Sequence, residues 1–491
     1  MRRRLHCALL RPAVLVRSTV LLACAVLIGP ANAADEKPAT AAGRKPNIIV
    51  IVGDDMGYAD IGVQGCKDIP TPHIDSLAAG GVRCTSGYVS GPYCSPTRAG
   101  LLTGRYQQRF GHEFNPGPVG TEDNDRKGLS LRESTLADRL KQAGYATGMV
   151  GKWHLGGASE FHPLKRGFDE YFGFLGGALT YLPGGRRGAD QVLRGTEPAN
   201  EKEYLTDAFG REASAFVERH QGEPFFLYLT FNAVHTPMEA TDKYLARFPN
   251  VADPKRRAYC AMMSAMDDAV GRLLATLRAT QLEERTLLFF VSDNGGPTSA
   301  NTALNTPLRG YKATTWEGGV RVPFLVQWKG TLPAGTTYDR PVIQLDILPT
   351  ALAAAGSPVA AEAKLDGVDL LPYLSGANDA SPHTALFWRF GEQTAVRAGD
   401  WKLVTARDAD GAPRGNIRQG RVVGPALFNL KDDVGELRDV AKEQPEKVAE
   451  LQTLWNDWNR SNVPATWGQT NRAPPANPPG GRRAKPRKTS T

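Results

Sequence analysis

Two polar pairs, three acids and one amide between them, close apolar runs in this chain. Asp54-Asp55 follows Ile48-Ile49-Val50-Ile51-Val52-Gly53, and Asp293-Asn294 follows Leu287-Leu288-Phe289-Phe290-Val291-Ser292. Neighbouring carboxylates repel unless a proton or a cation compensates them. Three carboxylates with one amide oxygen form an all-oxygen donor set suited to Ca²⁺ or Mg²⁺. Asp-Asp-x-Gly and Asp-Asn-Gly-Gly are also good turn sequences, so either pair alone suits a turn or cap; together, at the ends of two apolar runs, they favour a metal. A third apolar run, 223–231, leads to Asn232-Ala233-Val234-His235. Lys152 and His154 stand at alternate positions, which puts both side chains on one face of an extended segment. The densest chemistry lies in Gly91-Pro92-Tyr93-Cys94-Ser95-Pro96-Thr97-Arg98, continued by Leu101-Leu102-Thr103-Gly104-Arg105. Cys-x-Pro-x-Arg alone is moderately specific, and the extension makes it much more so.

Taken in this order, these segments resemble the formylglycine-dependent sulfatase family of the alkaline phosphatase superfamily. Cys94-x-Pro96-x-Arg98 with Thr103-Gly104-Arg105 matches the core motif, and Gly151-Lys152-Trp153-His154 the second signature. His235-Thr236-Pro237, Asp293-Asn294-Gly295-Gly296, the Lys312-bearing stretch 308–323 and the turn 427–437 complete a likeness spanning about 46 to 460. The resemblance implies that Cys94 is oxidised to formylglycine by a maturation enzyme and that its hydrate attacks sulfur. It also implies Ca²⁺, with Mg²⁺ as the alternative, on Asp54, Asp55, residue 94, Asp293 and Asn294. Arg98, Lys152 and Lys312 become a sulfate clamp. His154 becomes the base that regenerates the aldehyde, and His235 the general acid, assisted by Lys312. Tyr93 and Tyr311 stand where small residues are common, which alters pocket shape without removing a reacting group. The expected substrate is an aryl sulfate or sulfated carbohydrate, such as an N-acetylgalactosamine-6-sulfate-like unit. Two other readings stay open: a phosphodiesterase or phosphonate hydrolase of the same superfamily, for which a second set of His and Asp ligands is not evident, and a non-catalytic binder of sulfated glycans.

The elements that must position these groups read as an α/β fold. Continuous apolar strands without alternation suit a mostly parallel sheet sandwiched by helices, and chemistry at strand carboxyl ends is where such sheets place ligands. Helices are expected over 134–143 and 258–279, the second with Met262, Met266, Val270 and Leu273 on one face. From Thr384 the pattern changes to short strand candidates at 385–389, 394–397, 401–404 and 426–430, then a helix from Pro445 to Asn459. This is a smaller antiparallel sheet plus helix. The expected organisation is 1–33 signal peptide, 34–45 linker, 46–383 catalytic domain, 384–465 C-terminal subdomain and 466–491 disordered basic tail. Loops 112–130 and 176–204, with Arg186-Arg187, and the pair Trp388 and Arg389 are candidates for the pocket rim.

Composition fits this reading. The chain has 491 residues and a formal charge of +8. Residues 1–33 hold five Arg and no acid ahead of an apolar run and Ala31-Asn32-Ala33, the pattern of an export signal for the periplasm or secretion. That run is short for a bilayer span, so no stable span is expected after cleavage. Removing those five charges leaves +3, and removing the six basic residues of 471–491 leaves −3 for the body. A slightly acidic body gives no support to nucleic-acid binding. Cys7 and Cys24 leave with the signal. Cys66, Cys84, Cys94 and Cys260 are too few for a disulfide scaffold, with a Cys66–Cys84 bridge left open.

Overall fold

A computed structural model of the protein describes residues 44–183, 190–357, 359, 363–408 and 421–468. The signal segment, Arg186-Arg187 and residues 469–491 of the tail lie outside the described residues. Residues from Lys45 onward form one unit.

Its centre is five parallel strands: β1 (Asn47–Gly53), β2 (Ala146–Lys152), β3 (Glu170–Phe174), β4 (Phe225–Thr230) and β5 (Thr286–Ser292), in the spatial order β5-β1-β4-β2-β3. An antiparallel strand β6 (Phe324–Gln327) follows β5, and short strands at Val82–Cys84 and Thr336–Tyr338 on one side and Leu193–Arg194 and Glu197–Pro198 on the other complete ten. The apolar runs belong here because both faces of the sheet are covered. On one face Ile49, Ile51, Leu227, Leu229, Leu288 and Phe290 pack with helix residues Phe209, Phe216, Met262 and Met266. On the other, Ile48, Val50, Val52, Phe226 and Phe289 pack with Leu101, Leu102, Leu136 and Leu140. Alternation is therefore absent: every position of β1 is buried.

Four helices do most of this covering: α1 (Cys94–Thr103), α2 (Leu136–Gln142), α3 (Leu205–Arg219) and α4 (Pro254–Ala279). The second begins at a reciprocal cap, where the Thr135 hydroxyl accepts from Asp138 N and the Asp138 carboxylate accepts from Thr135 N. The fourth starts four residues before its expected position, because the Asp253 carboxylate accepts from Lys255 N and Pro254 suits the first turn. Met262, Met266, Val270 and Leu273 are all buried in the core, as their spacing requires.

The smaller sheet is an antiparallel meander of β7 (Leu386–Phe390), β8 (Gln393–Ala398), β9 (Trp401–Arg407) and β10 (Val422–Asn429). Helix α5 (Pro445–Asn459) covers one face, with Leu451 against Val396, Leu403 and Leu427. The other face shares a core with the large sheet's loops, joining Trp388, Val404 and Phe428 to Tyr88, Tyr106 and Trp316. Sealed in this seam, Lys402 Nζ lies 2.9 Å from both Glu317 Oε1 and Glu436 Oε1, with no exposure of either side.

One expectation changes and one open question closes. Residues 466–468, counted with the tail, are laid against the body: Thr466 N donates to Gly111 O at 2.9 Å and Trp467 Nε1 to Phe114 O at 2.9 Å. Backbone groups with such partners are not solvated coil. Cys66 and Cys84 are both free thiols. Cys66 Sγ turns instead to Asp68 Oδ1 at 3.4 Å.

Replacing Lys402 by Met should lower equilibrium unfolding stability by about 3–5 kcal/mol, because two buried carboxylates would lose the ammonium between them. Chemical denaturation measures this, and a loss under about 1 kcal/mol would show that Arg321, 3.3 Å from Glu317 Oε2, suffices for that carboxylate.

Candidate functional site

Because β5, β1, β4 and β2 are parallel neighbours, their carboxyl ends fall side by side. The register pairs Gly53 with Ser292, Val52 with Thr230, and Gly151 with Thr230. Residues just beyond these pairs therefore meet. Asp293 N donates to Gly53 O at 3.0 Å, Asp54 N to Ala233 O at 2.8 Å, and Val234 N to Asp54 O at 2.7 Å. Asp55 and His154 turn out of the sheet with φ of 64° and 60°, left-handed conformations that bulky residues adopt only where surrounding structure holds them.

Helix α1 brings the cysteine motif onto these ends. Cys94 opens it, and Arg98, one turn on, lies on the same side. The Arg98 guanidinium reaches Asp293 Oδ2 at 3.1 Å through Nε and 2.9 Å through Nη2, and its Nη1 donates to Lys152 O at 3.0 Å. Thr103-Gly104 ends the helix: Gly104 takes φ 64° and its N–H donates to Gly100 O. Ser95, a residue with no role expected from sequence, ties the cysteine motif to His154, His112 and Asn115. Its hydroxyl lies 2.6 Å from His154 O and 2.6 Å from His112 Nε2, and its N–H donates to Asn115 Oδ1 at 3.1 Å. Its place inside the cysteine motif was the only signal available for it, because His112 and Asn115 come from a distant loop.

All ten residues singled out from sequence converge. Lys152 Nζ lies 2.5 Å from Asp54 Oδ2, Lys312 Nζ 2.6 Å from Asp55 Oδ1 and 3.1 Å from Cys94 Sγ, and Cys94 Sγ 3.6 Å from Asp54 Oδ1. His235 Nε2 lies 3.6 Å from Asp55 Oδ2. Its Nδ1 faces Thr236 O at 2.6 Å; a carbonyl only accepts, so the ring proton belongs on Nδ1 and Nε2 is bare.

Burial dominates the charge states. It pushes the Cys94 thiol up to about 12 against the pull of Lys152 and Lys312, so the unmodified residue is a thiol, not a thiolate. Burial and the Asp293 charge raise the Asp54 carboxyl to about 7. Burial also works to raise Asp55, but Lys312 and His235 outweigh it and hold that carboxyl at about 2. His235 falls to about 3 through burial, with Lys312 and Lys152 adding to the effect. His154 falls well below its ordinary value through burial and then Lys152 and Arg98. Both imidazoles are neutral at ordinary pH. Lys312 is held charged: burial works to lower it, and Asp55 overrides that.

The donor set fits a hard divalent cation. Oxygens of Asp54, Asp55 and Asp293 and the Cys94 sulfur lie within 4.8 Å of one another. The Asn294 side chain donates through Nδ2 to Asp55 Oδ1 at 2.7 Å, while its buried Oδ1 has no hydrogen-bond partner, which leaves an acceptor for a cation. Among the described residues the groupings of metal-ligating side chains share Asp54 and Cys94, so they describe one cation site.

The site opens into a cavity of about 340 Å³, the scale of a small-ligand pocket, whose wall includes Tyr93, Asn115, Val119, Gly177, His154, His235 and Lys312. Both loops expected at the rim contribute to it, 112–130 through Asn115 to Val119 and 176–204 through Gly176 to Ala178 and Asp190. Trp388 does not. It is fully buried and donates to Val89 O, because the inner face of the small sheet needs it as core. Arg389 is paired with Glu113. Phe390 packs on Tyr93 instead, with ring centroids 5.6 Å apart.

Comparison with known proteins agrees with this geometry. A family model described as Sulfatase matches residues 46–357. Arylsulfatase G of Rattus norvegicus is 33% identical over 455 residues, covering 82% of this chain and 84% of that protein. N-acetylgalactosamine-6-sulfatase of Sus scrofa is 35% identical over 384 residues, covering 74% and 72%. Among solved structures, Ps i-CgsB in complex with k-i-k-neocarrahexaose superposes with a TM-score of 0.79 at 36% identity, covering 86% of this chain and 95% of that one.

With the Asp54 carboxyl raised to about 7, protons compete with any cation for its oxygens, so acidification below that value should weaken metal binding. Ca²⁺ affinity of the metal-free protein should fall about tenfold from pH 8 to pH 6, read by titration calorimetry. A pH-independent affinity would place the ionisation of the cluster elsewhere.

Proposed function

The chain belongs to the sulfatase family and hydrolyses sulfate esters, and from that premise we propose an exported enzyme for sulfated carbohydrates whose nucleophile is borne by residue 94. The observation that carries this reading is the setting of Cys94, with Asp54 Oδ1 at 3.6 Å and, at 3.1 Å, the Nζ of Lys312, a residue of the cavity wall. A buried thiol at about 12 is a poor nucleophile, which supports conversion of Cys94 before function. Formylglycine at 94 would supply, as its hydrate, an oxygen nucleophile, and a divalent cation on Asp54, Asp55, Asp293 and Asn294 would supply positive charge beside it.

The chain's own residues supply the rest. Arg98, Lys152 and Lys312 balance the three aspartates in number, so a bound divalent cation leaves the site net positive and suited to a sulfate monoanion. Arg98 and Lys152 are fully buried and fixed on Asp293 and Asp54, so they need little reorganisation when the anion arrives. His154 is neutral and its buried Nδ1 has no partner, the state a proton acceptor requires. The family resemblance puts the general acid at His235 with Lys312 assisting. Lys312 is held charged by Asp55 and stands 3.1 Å from Cys94 Sγ, which suits the assisting role, and His235 Nε2 lies 3.6 Å from Asp55 Oδ2.

The carbohydrate reading is supported by the names of the pig relative and of the carrahexaose complex, and by Asn115 and Asp190, the polar side chains that the two loops bring to the cavity wall. Export is supported by the leader at 1–33, with five Arg, an apolar run and small residues at its end. A phosphodiester reading is disfavoured because the metal-ligating groups, among the described residues, make one site where two would be needed.

Matured enzyme should hydrolyse nitrophenyl sulfate far faster than nitrophenyl phosphate; the opposite preference would favour the phosphoryl-transfer reading. Cys94→Ser should lose nearly all steady-state turnover, since a serine ester has no second hydroxyl with which to expel sulfate. Mass spectrometry of the peptide spanning residue 94 should show an aldehyde in place of the thiol, and active enzyme with only thiol there would reject the modification. Lys312→Ala should lower kcat by about 10²- to 10³-fold.

A further inference from the structure

Lys312 sits in a loop, and the loop is gripped by the small C-terminal sheet. Arg309 Nη1 donates to Glu436 O at 3.1 Å, Thr315 Oγ1 to Thr405 O at 3.2 Å and Trp316 Nε1 to Arg407 O at 2.7 Å. Glu317 N donates to Glu436 Oε2 at 2.7 Å, while the Glu317 carboxylate is held by Lys402 of β9. The residue next to Lys312 is held most closely. Ala313 adopts φ 68°, unusual for alanine. Its N–H donates to Pro92 O at 2.8 Å, two residues before Cys94, and its carbonyl accepts from Gln393 Nε2 at 2.9 Å. Gln393, at the start of β8, is 1% exposed, and its other end accepts from Arg407 N at 2.9 Å, so both halves of its amide are committed. One residue thus links the cysteine segment, the active-site lysine and the small sheet.

We propose that Gln393 is a positioning residue: its amide clamp on the Ala313 carbonyl holds the left-handed turn that aims Lys312 at residue 94 and Asp55. The inference rests on Lys312 acting in the reaction. A left-handed alanine relaxes when its clamp is lost, and Lys312 Nζ then swings away from contacts of 2.6 and 3.1 Å with Asp55 and Cys94. Nothing about Gln393 touches the cavity, so its effect must pass through the lysine.

The test is a double-mutant cycle on the matured, metal-loaded full chain with nitrophenyl sulfate, each variant normalised to its formylglycine content by mass spectrometry. Gln393→Leu should lower kcat by about 10- to 100-fold, yet cost less than about twofold when introduced into Lys312→Ala. A merely structural role would lower activity equally in both backgrounds, and that result, or an unchanged kcat in Gln393→Leu, overturns the proposal. If the leucine variant does not fold, Gln393→Met carries the same cycle, because its flexible side chain of similar length fills the space and still lacks the donor to Ala313. Full turnover by Lys312→Ala alone is a separate result: it removes the role of the lysine, and with it the premise.

Discussion

Three aspartates and three basic side chains are withdrawn from water at the ends of the central strands, and the rest of the molecule is arranged around that cost. Taking ions into a low-dielectric interior is expensive unless partners are close and well aligned. Here Arg98 and Lys152 bracket Asp54 and Asp293, Lys312 covers Asp55, and the shifts of the carboxyls in opposite directions record how unevenly the compensation is shared. The same burial that strains Asp54 keeps His154 and His235 neutral and Cys94 protonated. A cation among the aspartates and a sulfate against the basic groups would each relieve one side of this balance, which is why the site suits both.

Such a cluster needs a rigid frame. The parallel sheet provides it by sealing both faces of β1, β4 and β5, so that the strand ends have no freedom to spread. Helix α1 then delivers Cys94 and Arg98 together, one turn apart. The small sheet closes the arrangement from the other side through Gln393, Thr405, Arg407 and Glu436, and its buried Lys402 joins it to the loop that carries Lys312. It shares a core with the larger sheet through Trp388 and Tyr88, whose ring centroids lie 5.4 Å apart.

Much of this was legible in the sequence. Apolar strands ending in acids or histidine announced a parallel sheet with chemistry at its carboxyl ends, and the helix from Pro445 to Asn459 and the four late strands fall close to where their patterns put them. The misreadings share a cause. Trp388 looked like a rim residue, the segment at 466–468 looked like coil, and the early start of α4 was missed, because each depends on what packs against it from elsewhere in the chain. Ser95, His112 and Asn115 escaped notice for the same reason: a serine bonded to a histidine and an asparagine from another loop has no local pattern.

The sequence by itself determined which groups were available and on which kind of element each stood, because hydrophobic periodicity and motif spacing are local properties of the chain. Tertiary structure alone decided their charge states, the tautomer of His235, the free acceptor on Asn294 and the clamp of Gln393 on Ala313. Those depend on burial and on distances between residues as far apart in the chain as Lys312 and Asp55, and dielectric environment and long-range contact exist only once the chain has closed upon itself.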